Sequence, residues 1–252
     1  MTFRDSVKQW LNPPFDEATI NHVRTLQENV EELEDSFYTD LSFGTGGMRG
    51  IMGVGTNRIN KYTLGKATQG LSQFLSQEYP KETLKVVIAY DSRHQSKELA
   101  KIVADIFTAN KIHCYLFSDL RPTPELSFAV KHLDAHCGIV LTASHNPPEY
   151  NGYKVYGKDG GQLVPPHDTK IIQIIKETSF DSICFDILDQ YQGQISKKQP
   201  RSFQESKKFS NTLQGSNQVM VQKRSGPRPF QPKEKQKKYF YTILLRVEIV
   251  VK

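Results

Sequence analysis

The sequence predicts an α/β domain whose mixed, mostly parallel sheet carries helices on both faces. Two observations lead to this fold class. Short apolar runs alternate with amphipathic helical patterns along much of the chain. The apolar runs are continuous, which is typical of strands that are covered on both faces. Because both patterns stop near residue 190, we predict one folded domain over residues 1–190 and a separate basic segment over residues 191–252.

Helical patterns dominate the first part of the chain. Asp16 is predicted to cap a helix that runs to about Glu34. A glycine-rich segment follows at residues 44–50. A second helix is marked by apolar residues at helical spacing, Leu64, Ala67, Leu71 and Leu75.

Strands and helices then alternate in a regular order. The predicted strands are 85–90, 112–117, 138–142 and 152–156. The intervening helices are predicted to begin at Ser96, Pro124 and Asp168, with Ser96 and Asp168 as capping residues. This strand–helix–strand spacing favours parallel neighbours in a sheet.

Charge is distributed unevenly along the chain. Residues 191–252 hold 14 Lys and Arg against 3 Asp and Glu, whereas the other 190 residues hold 19 against 24. The net charge of +6 therefore hides a mildly acidic body and a basic tail. Because the tail lacks hydrophobic periodicity before Tyr239, we predict that it is mostly disordered, with one short strand within residues 241–250.

Membrane and disulfide-bonded classes are not favoured. The sequence has no apolar run of about 20 residues and no apolar signal-peptide core at its N-terminus. Cys114, Cys137 and Cys184 have neither paired nor metal-ligand spacing, so we expect reduced, buried thiols and a cytoplasmic location.

One stretch brings several reactive side chains to the end of a predicted strand. Ser144 follows that strand, at the edge where ligands bind in open α/β sheets. Asn151 and Gly152 are predicted to turn the chain into the next strand, which returns Lys154 toward Ser144. We therefore expect a hydroxyl, an ammonium and the imidazole of His145 to converge at one rim.

Three strings in this chain resemble motifs of one family. Residues 142–147, Thr-Ala-Ser-His-Asn-Pro, followed by Asn-Gly-Tyr-Lys at 151–154, resemble the phosphoserine loop of the α-D-phosphohexomutases, the superfamily of phosphoglucomutases and phosphomannomutases. Residues 44–50 resemble its Gly-Thr-x-Gly-x-Arg-Gly element. Asp91-Ser-Arg93, with Ser96, resembles its Asp-x-Arg-x-x-Ser element. The resemblance covers residues 1–190, looks like the first of four domains, and is closest to the longer phosphoglucomutases and phosphopentomutases.

The resemblance implies a reaction and assigns roles within it. Phosphorylated Ser144 would give its phosphoryl group to a sugar monophosphate and take back the other phosphate of the resulting bisphosphate. Sugar 1-phosphate and sugar 6-phosphate would thereby interconvert, with glucose favoured and mannose and pentose phosphates left open. Arg49 would hold the phosphate in a bidentate fork, and Lys154 or His145 would move a proton.

The resemblance also implies further contacts and cofactors. Thr45, Gly46, Arg93 and Asn146 would bind phosphate or substrate, although Arg93 has the alternative of pairing with a nearby carboxylate. Mg²⁺ would bind through the phosphate on Ser144, and a sugar 1,6-bisphosphate would act as activator. The family's Asp-x-Asp-x-Asp-Arg metal loop belongs to a later domain, and no such string occurs in this chain.

Other functional interpretations stay open. The chain is alternatively an inactive truncated fragment or pseudoenzyme that retains a phosphate-binding loop, with a tail that comes from a frameshift, a misassigned splice or a truncated gene. Residues 233–238 offer a basic patch for nucleic acid or an anionic membrane, against which the acidic body and the lack of a nucleic-acid motif argue. A serine hydrolase is disfavoured, since no Gly-x-Ser-x-Gly elbow surrounds Ser144.

Overall fold

The computed structural model describes residues 2–44, 46–185 and 247–250. The helices are α1 (Phe3–Trp10), α2 (Glu17–Leu26), α3 (Val30–Phe37), α4 (Lys61–Glu78), α5 (Ser96–Ala109), α6 (Thr123–His132) and α7 (His167–Glu177), with a 3₁₀ turn at Phe180–Ser182. The strands are β1 (Gly47–Ile51), β2 (Lys85–Tyr90), β3 (His113–Phe117), β4 (Cys137–Leu141), β5 (Tyr150–Gly157) and β6 (Val247–Val250).

The strands form one mixed sheet in the order β1-β5-β4-β2-β3-β6. Strands β4, β2 and β3 run parallel at its centre. Strand β5 returns antiparallel to β4, and β1 pairs antiparallel with β5. The predicted α/β fold with a mixed sheet is confirmed. The expectation that the sheet is mostly parallel is wrong, because two of the five pairings among the described strands are parallel and three are antiparallel.

Apolar side chains cover both faces of the sheet. On one face the largest cluster joins alternate residues of the central strands, such as Ile88 and Ile139, to helices α4, α5 and α7. On the other face Val87 and Val140 pack against Leu126 and its neighbours on α6. Helices on both faces explain why the strands read as continuous apolar runs.

The N-terminal helices form an aromatic cluster against α4. Trp10 is fully buried, stacks on Phe15 at 4.3 Å between ring centroids, and meets the edges of Phe37 and Tyr62. The prediction of one helix from Asp16 to Glu34 is wrong. Asp16 caps α2 as predicted, but the chain leaves the helix after residue 26, and the side chain of Asn29 accepts a bond from the Glu32 N–H to cap α3.

Two predicted capping residues have other positions. Helix α5 begins after Gln95, and Ser96 is its buried first residue, whose hydroxyl bonds to Asp91. Helix α7 is preceded by Pro166, so Asp168 lies inside the first turn, where it is buried and accepts the Thr169 N–H.

Two of the three cysteines match their predicted burial. Cys114 and Cys137 are buried, and burial raises the pKa of the Cys137 thiol to about 12, so it stays protonated at neutral pH. Cys184 is exposed, which corrects the prediction for this residue.

The C-terminal part of the chain is described only in part. Within the predicted 241–250 strand, Val247–Val250 forms β6, which pairs antiparallel with β3 and places a strand on that edge of the sheet. The predicted disorder of the tail and the basic patch at 233–238 lie outside the described residues. Among the residues that are described, no helix is long and apolar enough to span a bilayer.

Candidate active site

Ser144 lies on an exposed loop between β4 and β5, just beyond the carboxyl end of β4. Its backbone adopts the left-handed region with φ 56°. The Ser144 N–H donates to the Thr142 hydroxyl at 3.0 Å, and the Asn146 N–H donates to the Ala143 carbonyl at 3.1 Å. These short-range bonds fold the loop tightly and leave the Ser144 side chain toward solvent.

Three of the predicted site residues surround Ser144 at the same rim. The Nδ1 atom of His145 lies 3.4 Å from the Ser144 hydroxyl oxygen. Arg49 comes from β1, where it pairs with Gly152 of β5. Its guanidinium donates to the side-chain oxygen of Asn146 at 2.8 Å and is exposed to solvent. A hydroxyl, an imidazole, an amide and a guanidinium therefore meet at one edge.

Lys154 lies farther inside the sheet than the rim that carries Ser144. It pairs with Val140 of β4 and Gly47 of β1, two residues along β5 from the Arg49 partner Gly152. Side chains two residues apart share a face, at a spacing of about 6–7 Å along the strand. Arg49 and Lys154 are thus on one face of the sheet. Lys154 is half-buried, and within the described residues no hydrogen bond or ion pair joins it to Ser144.

The glycine-rich segment is held against β5. The Gly46 carbonyl accepts the Val155 N–H at 2.8 Å, and its backbone is left-handed with φ 80°. Gly47, at φ 135°, lies so close to β5 that a Cβ atom would be 1.9 Å from the Tyr153 carbonyl oxygen. Thr45, predicted as a phosphate contact, lies outside the described residues.

The guanidinium of Arg93 lies within hydrogen-bonding distance of backbone carbonyls in and next to the Ser144 loop. Its Nη1 donates to the carbonyls of Pro147 at 2.8 Å and Tyr150 at 2.9 Å. Its Nη2 donates to the carbonyls of Ser144 at 2.9 Å and Asn146 at 2.5 Å. Its Nε lies 3.9 Å from a carboxylate oxygen of Asp91. The contact with a nearby carboxylate was the alternative that the sequence left open for Arg93.

Two residues of the site region have positions that differ from the sequence interpretation. Asn151 and Gly152 do not form the turn, because both lie within β5, and the chain reverses at residues 147–150, where the Tyr150 N–H donates to Pro147. Asn151 is fully buried, and its amide donates to the Ser96 hydroxyl at 3.0 Å. The Asp-x-Arg-x-x-Ser string pointed to Asp91, Arg93 and Ser96, but not to Asn151, which bonds to Ser96 from 55 residues away in the sequence.

Comparison with protein families supports the motif-based expectation. The family model described as phosphoglucomutase/phosphomannomutase, alpha/beta/alpha domain I, matches residues 40–182, which is more than half of the chain. The chain belongs to the phosphoglucomutase/phosphomannomutase family. The matched residues include the glycine-rich segment, Arg93 and the Ser144 loop, and their α/β/α layering agrees with the observed fold.

Individual relatives within the phosphoglucomutase/phosphomannomutase family are similar over the same region. A phosphoglucomutase of Staphylococcus epidermidis is 48% identical over 136 residues, which cover 54% of this chain and 24% of the relative. A phosphoglucomutase of Staphylococcus aureus is 44% identical over 147 residues, covering 58% and 26%. The chain thus spans about a quarter of the length of these curated relatives.

A solved structure gives the same fold. A protein from Thermus thermophilus, assigned as a phosphomannomutase, superposes with a TM-score of 0.51 at 30% identity, over 56% of this chain and 31% of that chain. The family relationship therefore rests on one domain, and it is this domain that carries the Ser144 loop.

Proposed function

We propose that this chain carries out the phosphoserine half-reaction of a phosphosugar mutase, with Ser144 accepting and donating the phosphoryl group. The observation that carries the proposal is the exposed Ser144 hydroxyl beyond β4, with Arg49, Asn146 and His145 at the same rim. The proposed substrates are sugar 1-phosphate and sugar 6-phosphate. Glucose is favoured because the two Staphylococcus relatives are phosphoglucomutases.

The arrangement suits phosphoryl transfer, which depends on positioning and charge more than on covalent assistance. A phosphoserine carries about −1.5 to −2 charges at neutral pH. Arg49 is exposed beside Asn146, where its planar fork can hold two phosphate oxygens. In the transfer the bond between phosphorus and the Ser144 oxygen breaks as the bond to a sugar oxygen forms.

A proton has to leave the sugar hydroxyl during this step. His145 is the nearest candidate base, since its Nδ1 lies 3.4 Å from the Ser144 oxygen. Lys154 shares the face of Arg49 and is the second candidate, either for the proton or for a further positive charge. The Ser144 oxygen takes up a proton as its bond to phosphorus breaks, which balances the proton that the sugar hydroxyl loses. When the phosphoryl group returns to Ser144, the serine hydroxyl loses its proton and the sugar oxygen regains one.

A phosphate on Ser144 would offer Mg²⁺ one oxygen ligand. Mg²⁺ takes oxygen ligands and commonly binds through phosphate. The residues that the structure describes contain no cluster of three or more His, Cys, Asp or Glu side chains that would hold a metal ion. We therefore propose that the phosphate on Ser144 is this domain's contribution to Mg²⁺ binding.

The alternative is a phosphate-binding fragment that does not turn over. The chain spans about a quarter of the length of these curated relatives, so most of each relative has no counterpart in the match. Such a fragment would accept a phosphoryl group at Ser144 without converting one sugar phosphate into the other. The two proposals therefore differ in turnover and agree on the modification of Ser144.

We predict that Ser144 becomes phosphorylated. Incubation with glucose 1,6-bisphosphate and Mg²⁺ is expected to add one phosphoryl group to the purified chain, measured by intact mass, and peptide mapping is expected to place it on Ser144. Ser144→Ala should show no gain, whereas Ser92→Ala, an exposed serine at the same sheet edge, should behave as wild type. Mutase turnover by the same sample would favour the enzyme over the fragment. Phosphorylation that persists in Ser144→Ala would refute both proposals.

A further inference from the structure

We propose that Arg93 and Asn151 are positioning residues that hold the Ser144 loop in its active shape before any phosphate binds, and that Arg93 does not contact the phosphate. The proposal deepens the function proposed above and rests on it only for the phosphoryl transfer. Arg93 holds the loop directly through its hydrogen bonds to loop carbonyls. Asn151 acts through the Ser96 hydroxyl, which bonds to Asp91.

Most of the hydrogen-bonding capacity of Arg93 is used inside the protein. An arginine has five N–H groups. Four of them donate to the loop carbonyls of Ser144, Asn146, Pro147 and Tyr150 at 2.5–2.9 Å. The fifth, on Nε, faces Asp91 at 3.9 Å, and the side chain is only 12% exposed. To offer a donor on Nη1 or Nη2 to a phosphate, Arg93 would have to break its contacts with the loop carbonyls.

A second layer fixes Arg93 in turn. One oxygen of Asp91 accepts the Arg93 backbone N–H at 3.0 Å and the Ser96 hydroxyl at 3.1 Å. The buried amide of Asn151 donates to that hydroxyl at 3.0 Å and to the His94 carbonyl at 3.1 Å. The Asn151 side-chain oxygen accepts the Gly152 N–H at 2.8 Å. The network ties the end of β2 and the start of α5 to β5.

The loop needs such support because its backbone is strained. Ser144 has a φ of 56°, a region that non-glycine residues rarely occupy and that persists only where the surroundings impose it. Here the four loop carbonyls that accept hydrogen bonds from the Arg93 guanidinium impose this conformation on Ser144. Without the guanidinium these carbonyls would turn to solvent, and the Ser144 hydroxyl would lose its fixed direction. A misplaced nucleophile lowers the transfer rate more than it lowers substrate binding.

Arg93→Lys separates positioning from charge. Lysine keeps the positive charge but has three N–H groups and no planar fork, so it cannot serve four carbonyls. Hydrogen–deuterium exchange of the amides in residues 142–150 is expected to become about tenfold faster in Arg93→Lys, while the β2 and β4 peptides stay protected. Arg121→Lys, beyond the end of the neighbouring strand β3, is the matched control and should leave the loop unchanged.

Phosphorylation kinetics give the second readout. With glucose 1,6-bisphosphate, Arg93→Lys is expected to lower the maximal rate of Ser144 phosphorylation by about tenfold or more, with the half-saturating concentration within about threefold of wild type. A raised half-saturating concentration with an unchanged loop would make Arg93 a phosphate ligand and overturn the proposal. Unchanged exchange in the loop would overturn it as well.

The positioning role remains testable if the wild-type chain is inactive or the variant fails to fold. If the wild-type chain accepts no phosphoryl group, the proposed function fails, and the exchange measurement alone decides the positioning role. If Arg93→Lys does not fold, Ser96→Ala removes only the hydroxyl that joins Asp91 to Asn151. Faster loop exchange in folded Ser96→Ala supports the network, and wild-type exchange contradicts it.

Discussion

Ser144 occupies a backbone region that suits glycine better than serine. At φ 56° the Cβ atom of any L-residue crowds the following carbonyl, so the position stores strain of about 1 kcal/mol or more. The side chain is nevertheless exposed and has the His145 ring as its neighbour. A strained residue with an exposed hydroxyl is what a loop dedicated to presenting that hydroxyl requires.

The strain predicts an unusual order of stability among variants. Ser144→Gly should be more stable than Ser144→Ala by about 0.5–1 kcal/mol, because only glycine adopts the left-handed region without a steric penalty. Urea unfolding at neutral pH measures the difference. At Ser92, an exposed position without a positive φ, glycine should be the less stable of the two. Equal stability of the two Ser144 variants would show that the loop relaxes and carries no strain.

At the scale of elements, β5 lies between the strand that leads into the Ser144 loop and the strand that carries Arg49. It pairs with β4, which leads into the Ser144 loop, and with β1, which carries Arg49. Gly152 lies where three strands approach closely, and a Cβ atom there would meet the Thr142 carbonyl oxygen at 2.7 Å and the Met48 carbonyl oxygen at 2.8 Å. The distance between Arg49 and the loop therefore depends on a glycine at this position.

A methyl group at Gly152 should separate these strands. Gly152→Ala is expected to destabilise the domain by about 1–3 kcal/mol, because backbone atoms have to move to accept the new carbon. Gly157→Ala, in the same strand, is the control, since its Cβ would meet only a side-chain oxygen of Asp159 at 3.2 Å. Thermal unfolding of both variants checks this. Equal losses would mean that the close approach at Gly152 has no energetic consequence.

At the scale of the whole molecule, helices α1, α2 and α3 contribute apolar side chains to the folded core, although the match to the family model begins at residue 40. Trp10 and Phe15 pack on Tyr62 of α4, Phe37 packs on Trp10, and Phe180 completes the cluster. A polar contact accompanies this apolar one. The Asp16 carboxylate accepts the Tyr62 hydroxyl at 2.6 Å and pairs with Lys61.

This contact makes stability depend on pH. Burial alone would raise the pKa of Asp16, but hydrogen bonds from Lys61, Tyr62 and the Thr19 N–H outweigh it and hold that pKa well below its usual range. A carboxyl with a lower pKa in the folded than in the unfolded state stabilises the fold above the unfolded pKa. It loses that contribution as pH falls toward the folded value.

Asp16→Asn should therefore lower the free energy of unfolding by about 1 kcal/mol at neutral pH, since asparagine keeps the helix cap but loses the charge. The difference from wild type should shrink progressively below about pH 4. Urea unfolding between pH 7 and pH 3 measures it, with the exposed Asp181→Asn as control. A difference that does not change with pH would assign the effect to packing and not to the carboxylate.

Sequence patterns predicted the order of the elements better than their ends. The order of strands and helices from α4 to α7 was predicted from the spacing of apolar residues, because the buried face of a strand or helix produces a regular pattern among residues that are close along the chain. The ends of the helices were predicted less well. Asn29 caps a new helix where one continuous helix was expected, and Ser96 and Asp168 are not caps. A polar side chain at a helix end has competing local and distant partners, and the sequence does not rank them.

The fold class and the identity of the loop that bears Ser144 follow from the amino-acid sequence, because both depend on residues that are adjacent along the chain. The contacts of the polar side chains are set by the tertiary structure. Arg93 meets carbonyls more than 50 residues away, and Asn151 lies inside a strand where it holds Ser96. The reach of a long side chain, and the number of donors that its surroundings consume, depend on distances across the fold, and no local pattern encodes them.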